Sequence, residues 1–345
     1  MKGLRKVLTP FAPDQSGAVS VLYALGGVVV VIDAGGCTGN ICGFDEPRWL
    51  SQKSAVFSAG LRDMDAIMGR DDRLIDKLAL ACDQIEANFV AVIGTPVPAV
   101  IGTDFRALKH MAEKRTGLPV ISLPTDGMAL YDRGASAAFA ALFEAFAEPG
   151  EAVAGRVGVL GATPLDMDEK TAETITERLK AAGWREIVIY GMGADLPDVR
   201  RAAGAKKNLV IAPSGLEAAR RLEARFGTPY EAAYPTAARL IDGPEVRGRR
   251  VLVVHQQVAA CALREQLLAA GARSVTVGCW FMMDPALTQA GDVPLAEEDD
   301  FTALVASGGF DLIVADPTMR PLVPNFAGEW LPFPHFALSG KLGQG

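Results

Sequence analysis

Two cysteines lie in one glycine-rich segment of the chain. Residues 33–43 read DAGGCTGNICG, with four residues between Cys37 and Cys42, directly after the apolar run VVVVI at 28–32. A short β-branched run of this kind predicts a strand, so the thiols lie in the loop that follows its carboxyl end. Soft thiolates presented by such a loop, with backbone N–H groups close by, suit an iron–sulfur cluster.

The cysteine pattern leaves more than one interpretation open. The chain has 5 cysteines, an odd number that does not indicate a disulfide framework. The chain has neither the HxxxH nor the CxxC spacing that would indicate a closed zinc site. Small apolar residues packed in a tight turn are the alternative to a metal site. The neighbouring Gly36 and Gly39 offer backbone room instead of packing partners. Two thiols are too few for a four-thiolate cluster, whereas a symmetric homodimer would supply four.

Composition and motifs exclude several classes of function. The net charge of −7, without a Lys/Arg run, argues against a nucleic-acid partner. No GxxxxGK[ST] motif is present, and AGGCTG lacks the spacing of a dinucleotide fingerprint. The run VVVVI is too short to span a bilayer, and the first residues lack the apolar region of a signal peptide. We therefore expect a cytoplasmic protein without a membrane partner.

Strand and helix patterns alternate along the chain. Apolar runs predict strands at 28–32, 89–93, 120–123, 157–160, 187–190, 209–212, 251–255, 275–277 and 312–315. Helical periodicity predicts helices that include 72–88, 168–183, 215–227 and 258–271. Alternation of this kind predicts an α/β fold with parallel sheets covered on both faces.

Three blocks of similar size follow from this pattern. Polar Pro/Gly segments separate residues 1–152, 153–244 and 245–345, and each block predicts a doubly wound, Rossmann-like domain. Ligands bind such sheets beyond the carboxyl ends of the strands. His255 ends a predicted strand and Asp126 follows another, so both are candidate proton-transferring residues, with Thr125 as a neighbour of the second.

The other candidate residues have structural explanations. Cys82 lies on the apolar stripe of a predicted helix, and Cys261 lies beside a leucine face. Both are therefore predicted to be packing residues. Cys279 ends a predicted strand and could line a cavity. Asp104 precedes a predicted helix and could cap it.

The first block resembles the nitrogenase component 1 family. The segments that carry the resemblance follow in order: APDQSGAVSVLYALGG at 12–27, VVVVIDAGGCTG at 28–39, 68–105 with GTPVPAVIGTDF, and TGLPVISLPTDG at 116–127. Later segments are similar more loosely, including NLVIAPSGLEAARRLEARFGTPY at 208–230. The resemblance implies three Rossmann-like domains around a central cavity, an iron–sulfur cluster at a subunit interface, and electrons from an ATP-dependent iron–sulfur reductase. Asp104 matches an Asp of the family pattern.

The sequence also departs from the family pattern. Ala12 and Pro96 stand where the family has cluster cysteines, Cys37 matches the retained one, and Cys42 is additional. The resemblance and these departures predict one [4Fe–4S] cluster on a homodimer axis, with Cys37 and Cys42 of both chains as ligands beside Gly36 and Gly39. By family analogy the substrate is a reduced tetrapyrrole or another small unsaturated or thioether-type molecule. A scaffold or carrier for metallocofactor assembly is the main alternative to an enzyme, and a binding protein without a cluster is a third possibility.

Overall fold

The computed structural model describes residues 5–235 and 245–339. Within these ranges the strands are β1 (Val28–Val31), β2 (Ala55–Ser58), β3 (Val90–Ile93), β4 (Val120–Leu123), β5 (Val153–Leu160), β6 (Glu186–Ile189), β7 (Ala205–Val210), β8 (Tyr230–Ala232), β9 (Arg250–Val254), β10 (Ser274–Cys279), β11 (Val293–Pro294), β12 (Leu312–Ala315) and β13 (Glu329–Pro332). The α-helices are α1 (Asp14–Leu22), α2 (Gly36–Asn40), α3 (Asp63–Met68), α4 (Asp71–Gln84), α5 (Pro96–Val100), α6 (Phe105–Thr116), α7 (Tyr131–Phe146), α8 (Glu169–Ala181), α9 (Leu196–Arg200), α10 (Leu216–Phe226), α11 (Gln257–Ala269), α12 (Glu298–Gly308) and α13 (Phe336–Ser339).

The strands form three sheets, with the orders β2-β1-β3-β4, β6-β5-β7-β8 and β11-β10-β9-β12-β13. Every strand pair of these sheets is parallel. The α/β class and the doubly wound organisation predicted from the sequence are therefore confirmed. We refer to the first, second and third sheets with their helices as the first, second and third domains. The limits at 152/153 and 244/245 stay a prediction, and residues 236–244 lie outside the described ranges.

Central strands are apolar because both faces of each sheet are covered. All four valines of β1 are buried, as are all four residues of β3 and of β12. The helices that cover them have ordinary end signals. Asp104 accepts hydrogen bonds from the backbone N–H groups of Arg106 (2.9 Å) and Ala107 (3.0 Å), so it caps α6 as the sequence suggests.

Helices α1 and α7 cross at very short distance in the first domain. Gly17 and Gly134 lie at the crossing, where a Cβ on Gly17 would overlap the Tyr131 carbonyl oxygen. A Cβ on Gly134 would likewise overlap the Asp14 carbonyl oxygen. Both glycines are therefore required by the close approach of two backbones. The crossing fixes the amino end of α1 beside the carboxyl ends of the first sheet.

Four strands went unrecognised in the sequence pattern: β2, β8, β11 and β13. Each lies at the edge of its sheet.

None of the helices in 5–235 and 245–339 is long and apolar enough to cross a membrane.

Candidate functional site

The loop after β1 carries Cys37 and Cys42 on a short helical segment. Gly35 has a φ of +112°, a value that favours glycine, and α2 begins directly after it. A π-helical turn, Ile41–Asp45, continues the segment and contains Cys42. Both thiols are half-buried, and neither is in a disulfide.

Asp33 holds the start of this loop in place. Its carboxylate is buried and accepts hydrogen bonds from the Thr38 backbone N–H (2.7 Å) and from the Ser58 hydroxyl (2.5 Å). The bond from Thr38 therefore holds the helical segment against Asp33, and the bond from Ser58 ties Asp33 to β2. Thr95, after β3, donates from its hydroxyl to the Ile32 carbonyl oxygen (2.7 Å), so the ends of β1 and β3 are also tied together.

The far end of the loop is anchored by buried polar groups. Asp45 accepts hydrogen bonds from the Ser16 hydroxyl (2.7 Å) and the Asn40 side-chain amide (2.9 Å). Glu46 and Arg48 form a buried two-point ion pair, with both guanidinium nitrogens 2.7 Å from the carboxylate. Arg48 also donates to the Gly191 carbonyl oxygen of the second domain (2.9 Å). The loop is therefore rigidly positioned at both ends.

The surroundings of the thiols favour their neutral form in the absence of metal. Burial raises the pKa of Cys37, the charge of Asp33 raises it further, and a contact with the Thr95 hydroxyl opposes both. Burial also raises the pKa of Cys42, followed by the charges of Glu46 and Asp33. Neither thiol is thus an activated nucleophile, because nucleophilic cysteines have depressed pKa values. A metal ion deprotonates its thiol ligands outright, so metal binding remains compatible with these pKa directions.

The space around the loop bears on whether its thiols could hold a metal cluster. Added Cβ atoms at Gly36, Gly39 and Gly43 would meet nothing within 4 Å, so the glycines beside the thiols face open space, whereas the Cys42 side chain packs partly against a buried apolar cluster. Within the described ranges no group of three or more His, Cys, Asp or Glu side chains could hold a metal. Cys37 and Cys42 are two soft donors, too few to close a metal site within the described part of one chain.

Exposed apolar side chains lie in the loop that carries the thiols and in the two loops beside it. Loops after β1, β3 and β4 meet at the carboxyl edge of the first sheet, which we call the thiol edge (residues 33–46, 94–104 and 124–130). Gly127 in the third loop lies against Pro96 in the second, and Cys37 contacts Thr95. Val100 is 86% exposed and Met128 84% exposed. The other exposed large apolar residues of this edge are Phe44, Val97 and Ile101.

Asp126 and Thr125 also lie at the thiol edge. The Asp126 carboxylate accepts a hydrogen bond from the Met128 backbone N–H (2.9 Å), and its own N–H donates to Asp14 (3.2 Å). The Thr125 hydroxyl is buried and donates to the Gly94 carbonyl oxygen (2.7 Å). Thr125 is therefore occupied in holding the ends of β3 and β4 together.

His255 lies elsewhere, at the junction of the three domains. It follows β9, is fully buried, and stacks on Phe333 with ring centroids 3.8 Å apart. Its Nε2 lies 3.2 Å from the Pro334 carbonyl oxygen. His335 is its neighbour at 4.6 Å between ring centroids. The sequence candidates His255 and Asp126 are thus placed in two different regions.

A hydrogen-bonded chain links the three domains at this junction. The Ala337 N–H points at His335 Nδ1 (3.3 Å), which leaves the ring proton on Nε2 to donate to the Tyr131 oxygen (3.2 Å). The Tyr131 hydroxyl donates to Asp166 Oδ1 (2.6 Å), and the Thr163 hydroxyl donates to Oδ2 (2.6 Å). Tyr131 belongs to the first domain, Thr163 and Asp166 to the second, and His335 to the third.

The titratable side chains of the junction have strongly shifted pKa values because they are buried away from water. Burial raises the pKa of Asp166 to about 7, although the hydrogen bonds from Thr163 and Tyr131 oppose the shift. Burial lowers the pKa of His255 to about 4 and that of His335 well below its usual value. At neutral pH both imidazoles are therefore uncharged.

Sequence reasoning missed Tyr131, Asp166 and His335. Asp166 comes after β5 and His335 after β13, so the relevant signal was a polar side chain shortly after a strand's carboxyl end. That signal was unreadable for His335, because β13 itself went unrecognised. Tyr131 begins α7 and carries no local sign that its hydroxyl is the central link.

The remaining cysteines occupy packing positions. Cys82 packs at the margin of an apolar cluster that includes Leu74 and Leu78. Cys261 is half-buried beside the Arg264 guanidinium (3.1 Å). Cys279 is fully buried, and its thiol points at the Phe281 carbonyl oxygen (3.6 Å), within the apolar cluster at the junction.

Asp166 makes the stability of the protein depend on pH. Its pKa in the folded chain, about 7, is above the value of 3.8 expected when unfolded, so its contribution to the free energy of unfolding is greatest below pH 4 and falls until pH 7. His255 and His335 act oppositely, because their lowered pKa values destabilise the fold as pH falls below 6.5. Tyr131 and Asp132 are the other titratable groups that face Asp166.

We expect the variant Asp166→Asn to lose only the pH dependence of the free energy of unfolding that Asp166 contributes. Between pH 5 and 8 its free energy of unfolding should rise relative to the original chain by about 3 kcal/mol. Urea unfolding at pH 5, 6, 7 and 8 measures this difference. The exposed Asp83→Asn serves as the control and should give a curve parallel to that of the original chain. A parallel curve for Asp166→Asn would contradict the assignment.

Comparisons with known proteins agree with this architecture. A model of the family described as nitrogenase component 1 type oxidoreductase matches residues 15–242. A protein named nitrogenase iron-molybdenum cofactor biosynthesis protein NifE from Sinorhizobium fredii is 28% identical over 247 residues, covering 66% of this chain and 48% of that protein. The NifE protein of Mesorhizobium japonicum gives the same identity and coverage. The chain thus spans about half the length of these curated relatives.

The fold is also that of a solved nitrogenase structure. A chain described as nitrogenase Cp1 at pH 6.5 superposes with a TM-score of 0.75 at 12% sequence identity, covering 100% of this chain and 89% of that one. The likeness to this structure concerns the fold, and the family model covers well over half of the chain. The resemblance seen in the sequence is confirmed: the chain belongs to the nitrogenase component 1 type oxidoreductase family.

Proposed function

We propose that the protein is the catalytic component of a nitrogenase-like reductase system in the cytoplasm. Two copies form a homodimer in which Cys37 and Cys42 of both chains hold one [4Fe–4S] cluster. An ATP-dependent iron–sulfur reductase supplies the electrons, and the substrate is a small unsaturated molecule or a tetrapyrrole. When bound, the cluster supplies one-electron transfer at low potential.

The observation that carries this proposal is the composition of the thiol edge. Two half-buried thiols share this edge with exposed apolar side chains that include Val100 and Met128. Monomeric proteins rarely leave large apolar groups together on the surface, so a second chain is the natural cover. Such cover would also shield the thiol ligands from water.

The loop residues hold the ligands ready for a second chain. Asp33 and Asp45 fix the helical segment through hydrogen bonds, so little conformational freedom is lost on binding. The negative charge of Asp33 disfavours added electrons nearby, which lowers the reduction potential of an acceptor at the thiols. A strong, ATP-driven reductant suits such an acceptor.

Within this proposal the two proton-transferring residues act at different places. Asp126 lies in the thiol edge, where its carboxyl group is half-buried. His255 lies at the domain junction as an uncharged imidazole, with its Nε2 proton directed at Pro334. The other ring nitrogen, Nδ1, can therefore accept a proton from the substrate. It does so only from a strong acid, because the pKa of His255 is lowered to about 4.

Anaerobic reduction with and without ATP hydrolysis tests the function. With the reductase and ATP, the visible absorption of the iron-loaded protein should bleach, because electrons reach the cluster. A non-hydrolysable ATP analogue should leave it oxidised. Return of the absorption on addition of a tetrapyrrole would identify the substrate class. Reduction that proceeds equally without ATP would contradict the proposed partner.

A second candidate function rests on the curated relatives, which are named as cofactor biosynthesis proteins. In that case the chain is a scaffold on which a metallocofactor is assembled. The two functions differ in stoichiometry. A scaffold releases at most one metallocluster per site to an acceptor protein, whereas an enzyme turns over many substrate molecules per dimer.

A further inference from the structure

We propose that a groove on the first domain binds a small molecule with an apolar body and one anionic group. This groove, here called the β2–α4 groove, lies between the edge strand β2 and helix α4 and has a volume of about 260 Å³. All of the described residues that line it belong to the first domain. The site is therefore separate from the junction of the three domains.

The floor of the groove is formed by buried apolar side chains. Val30 of β1 contributes to it, together with Leu74 and Leu78 of α4. These three side chains belong to the apolar cluster that packs the first sheet against α4 and α6. An apolar body that enters the groove therefore continues the core of the first domain.

Large apolar side chains at the rim of the groove are in contact with solvent. Phe57 of β2 is 39% exposed and Leu80 of α4 is 59% exposed, and both line the groove. A ligand between them removes apolar surface of both side chains from water. This burial supplies the driving force for binding.

The dimensions of the groove favour a small molecule over another protein chain. Its volume of about 260 Å³ is just below the range of about 300 to 1,000 Å³ that holds drug-sized ligands. Strand β2 has only 4 residues, and so short an edge strand is a poor template for pairing with a further strand. We therefore expect a compact ligand and not an extended peptide.

Lys77 determines the charge of the ligand. It is the one charged residue among the described residues that line the groove. Its Nζ donates a hydrogen bond to the Ala59 carbonyl oxygen (3.2 Å), which leaves two of its three N–H donors for a ligand. In the described part of the chain no carboxylate forms an ion pair with Lys77. An anionic group beside an apolar body, as in a small carboxylic acid, complements this cation.

Octanoate tests the ligand class, because it joins an apolar chain to one carboxylate. Equilibrium dialysis of the full chain with radiolabelled octanoate, below its micelle concentration, should show one saturable site per chain. Octylammonium has the same chain and the opposite charge, so it should bind at least about tenfold more weakly. Acetate, which lacks the chain, should not compete. Equal affinities for octanoate and octylammonium would overturn the assignment of an anionic ligand.

Substitutions on α4 test the location of the site. Ala81 lines the groove, so Ala81→Leu fills part of it with a larger side chain and should abolish octanoate binding. Circular dichroism checks that this variant is folded. Lys77→Gln removes the positive charge and should weaken binding about fivefold, whereas Lys77→Arg keeps the charge and should bind within about twofold of the original chain.

The matched controls lie on α6. Ala107→Leu and Lys114→Gln make the same changes at exposed positions outside the groove, and both variants should bind octanoate like the original chain. Octanoate should also slow amide exchange in residues 55–59 and 74–84. Binding that survives Ala81→Leu, or that protects the thiol edge instead, would overturn the groove as the site.

Sedimentation of the metal-free chain tests whether a second copy occupies the groove. Self-association that Ala81→Leu abolishes and octanoate reverses would assign the groove to a second copy and overturn the small-molecule proposal. None of these measurements needs iron. A chain that binds no octanoate would therefore refute the groove proposal and leave the proposed cluster at the thiol edge unaffected.

Discussion

Replacing Cys42 with serine should remove nearly all iron from protein purified without oxygen. In the proposed homodimer the original chain should contain about four iron and four sulfide per two chains, because four thiolates would hold one [4Fe–4S] cluster. Cys42→Ser and Cys37→Ser each remove two of the four ligands from the symmetric site. A cluster that has lost two of its four thiolate ligands does not persist, so we expect well below about one iron per dimer. Colorimetric iron and sulfide determination measures the loss.

The matched control for this experiment is Cys82→Ser. Cys82 is also half-buried, and burial raises its pKa like those of the loop thiols, but it lies on α4 beside apolar side chains. Its substitution should leave the iron content unchanged. A Cys42→Ser protein with the original iron content and absorption would refute the assignment of Cys42 as a ligand. Loss of iron in Cys82→Ser as well would point to general instability.

Gly134→Ala should destabilise the protein strongly. The new Cβ would overlap the Asp14 carbonyl oxygen, a backbone atom that cannot rotate away. Helices α1 and α7 would have to separate, which costs on the order of 3 kcal/mol or more. Urea unfolding monitored by circular dichroism gives the change in the free energy of unfolding.

Gly43→Ala is the control for the crossing. It also adds one methyl group to a helical glycine, but nothing lies within 4 Å of the added atom. We expect its stability to stay within about 1 kcal/mol of the original chain. If both variants unfold at the same urea concentration, the two helices do not approach as closely as described here.

The sequence predicts the architecture well where strands are central in their sheets. Runs such as 28–32 and 312–315 are β-branched because both faces are covered, and they match β1 and β12 closely. The four strands that went unrecognised are all edge strands. An edge strand pairs on one side only, so its composition is not forced to be apolar, and β2 is half-exposed accordingly.

The candidate site was predictable only where its residues are neighbours in the chain. Cys37 and Cys42 lie in one loop, so their joint position was readable from residues 33–43. The junction brings together Tyr131, Asp166 and His335, which are as far as 204 positions apart. Their meeting depends on how three domains pack, and no local pattern of side chains encodes that packing.

Arg48 gives the thiols a mechanical connection to a distant part of the molecule. Its guanidinium group bonds Glu46, four residues from Cys42, and at the same time the Gly191 carbonyl oxygen in the second domain. A displacement of Gly191 relative to Glu46 would therefore strain the loop that carries both cysteines. In the proposed reductase, a rearrangement of the second domain would reach the cluster ligands through this one side chain.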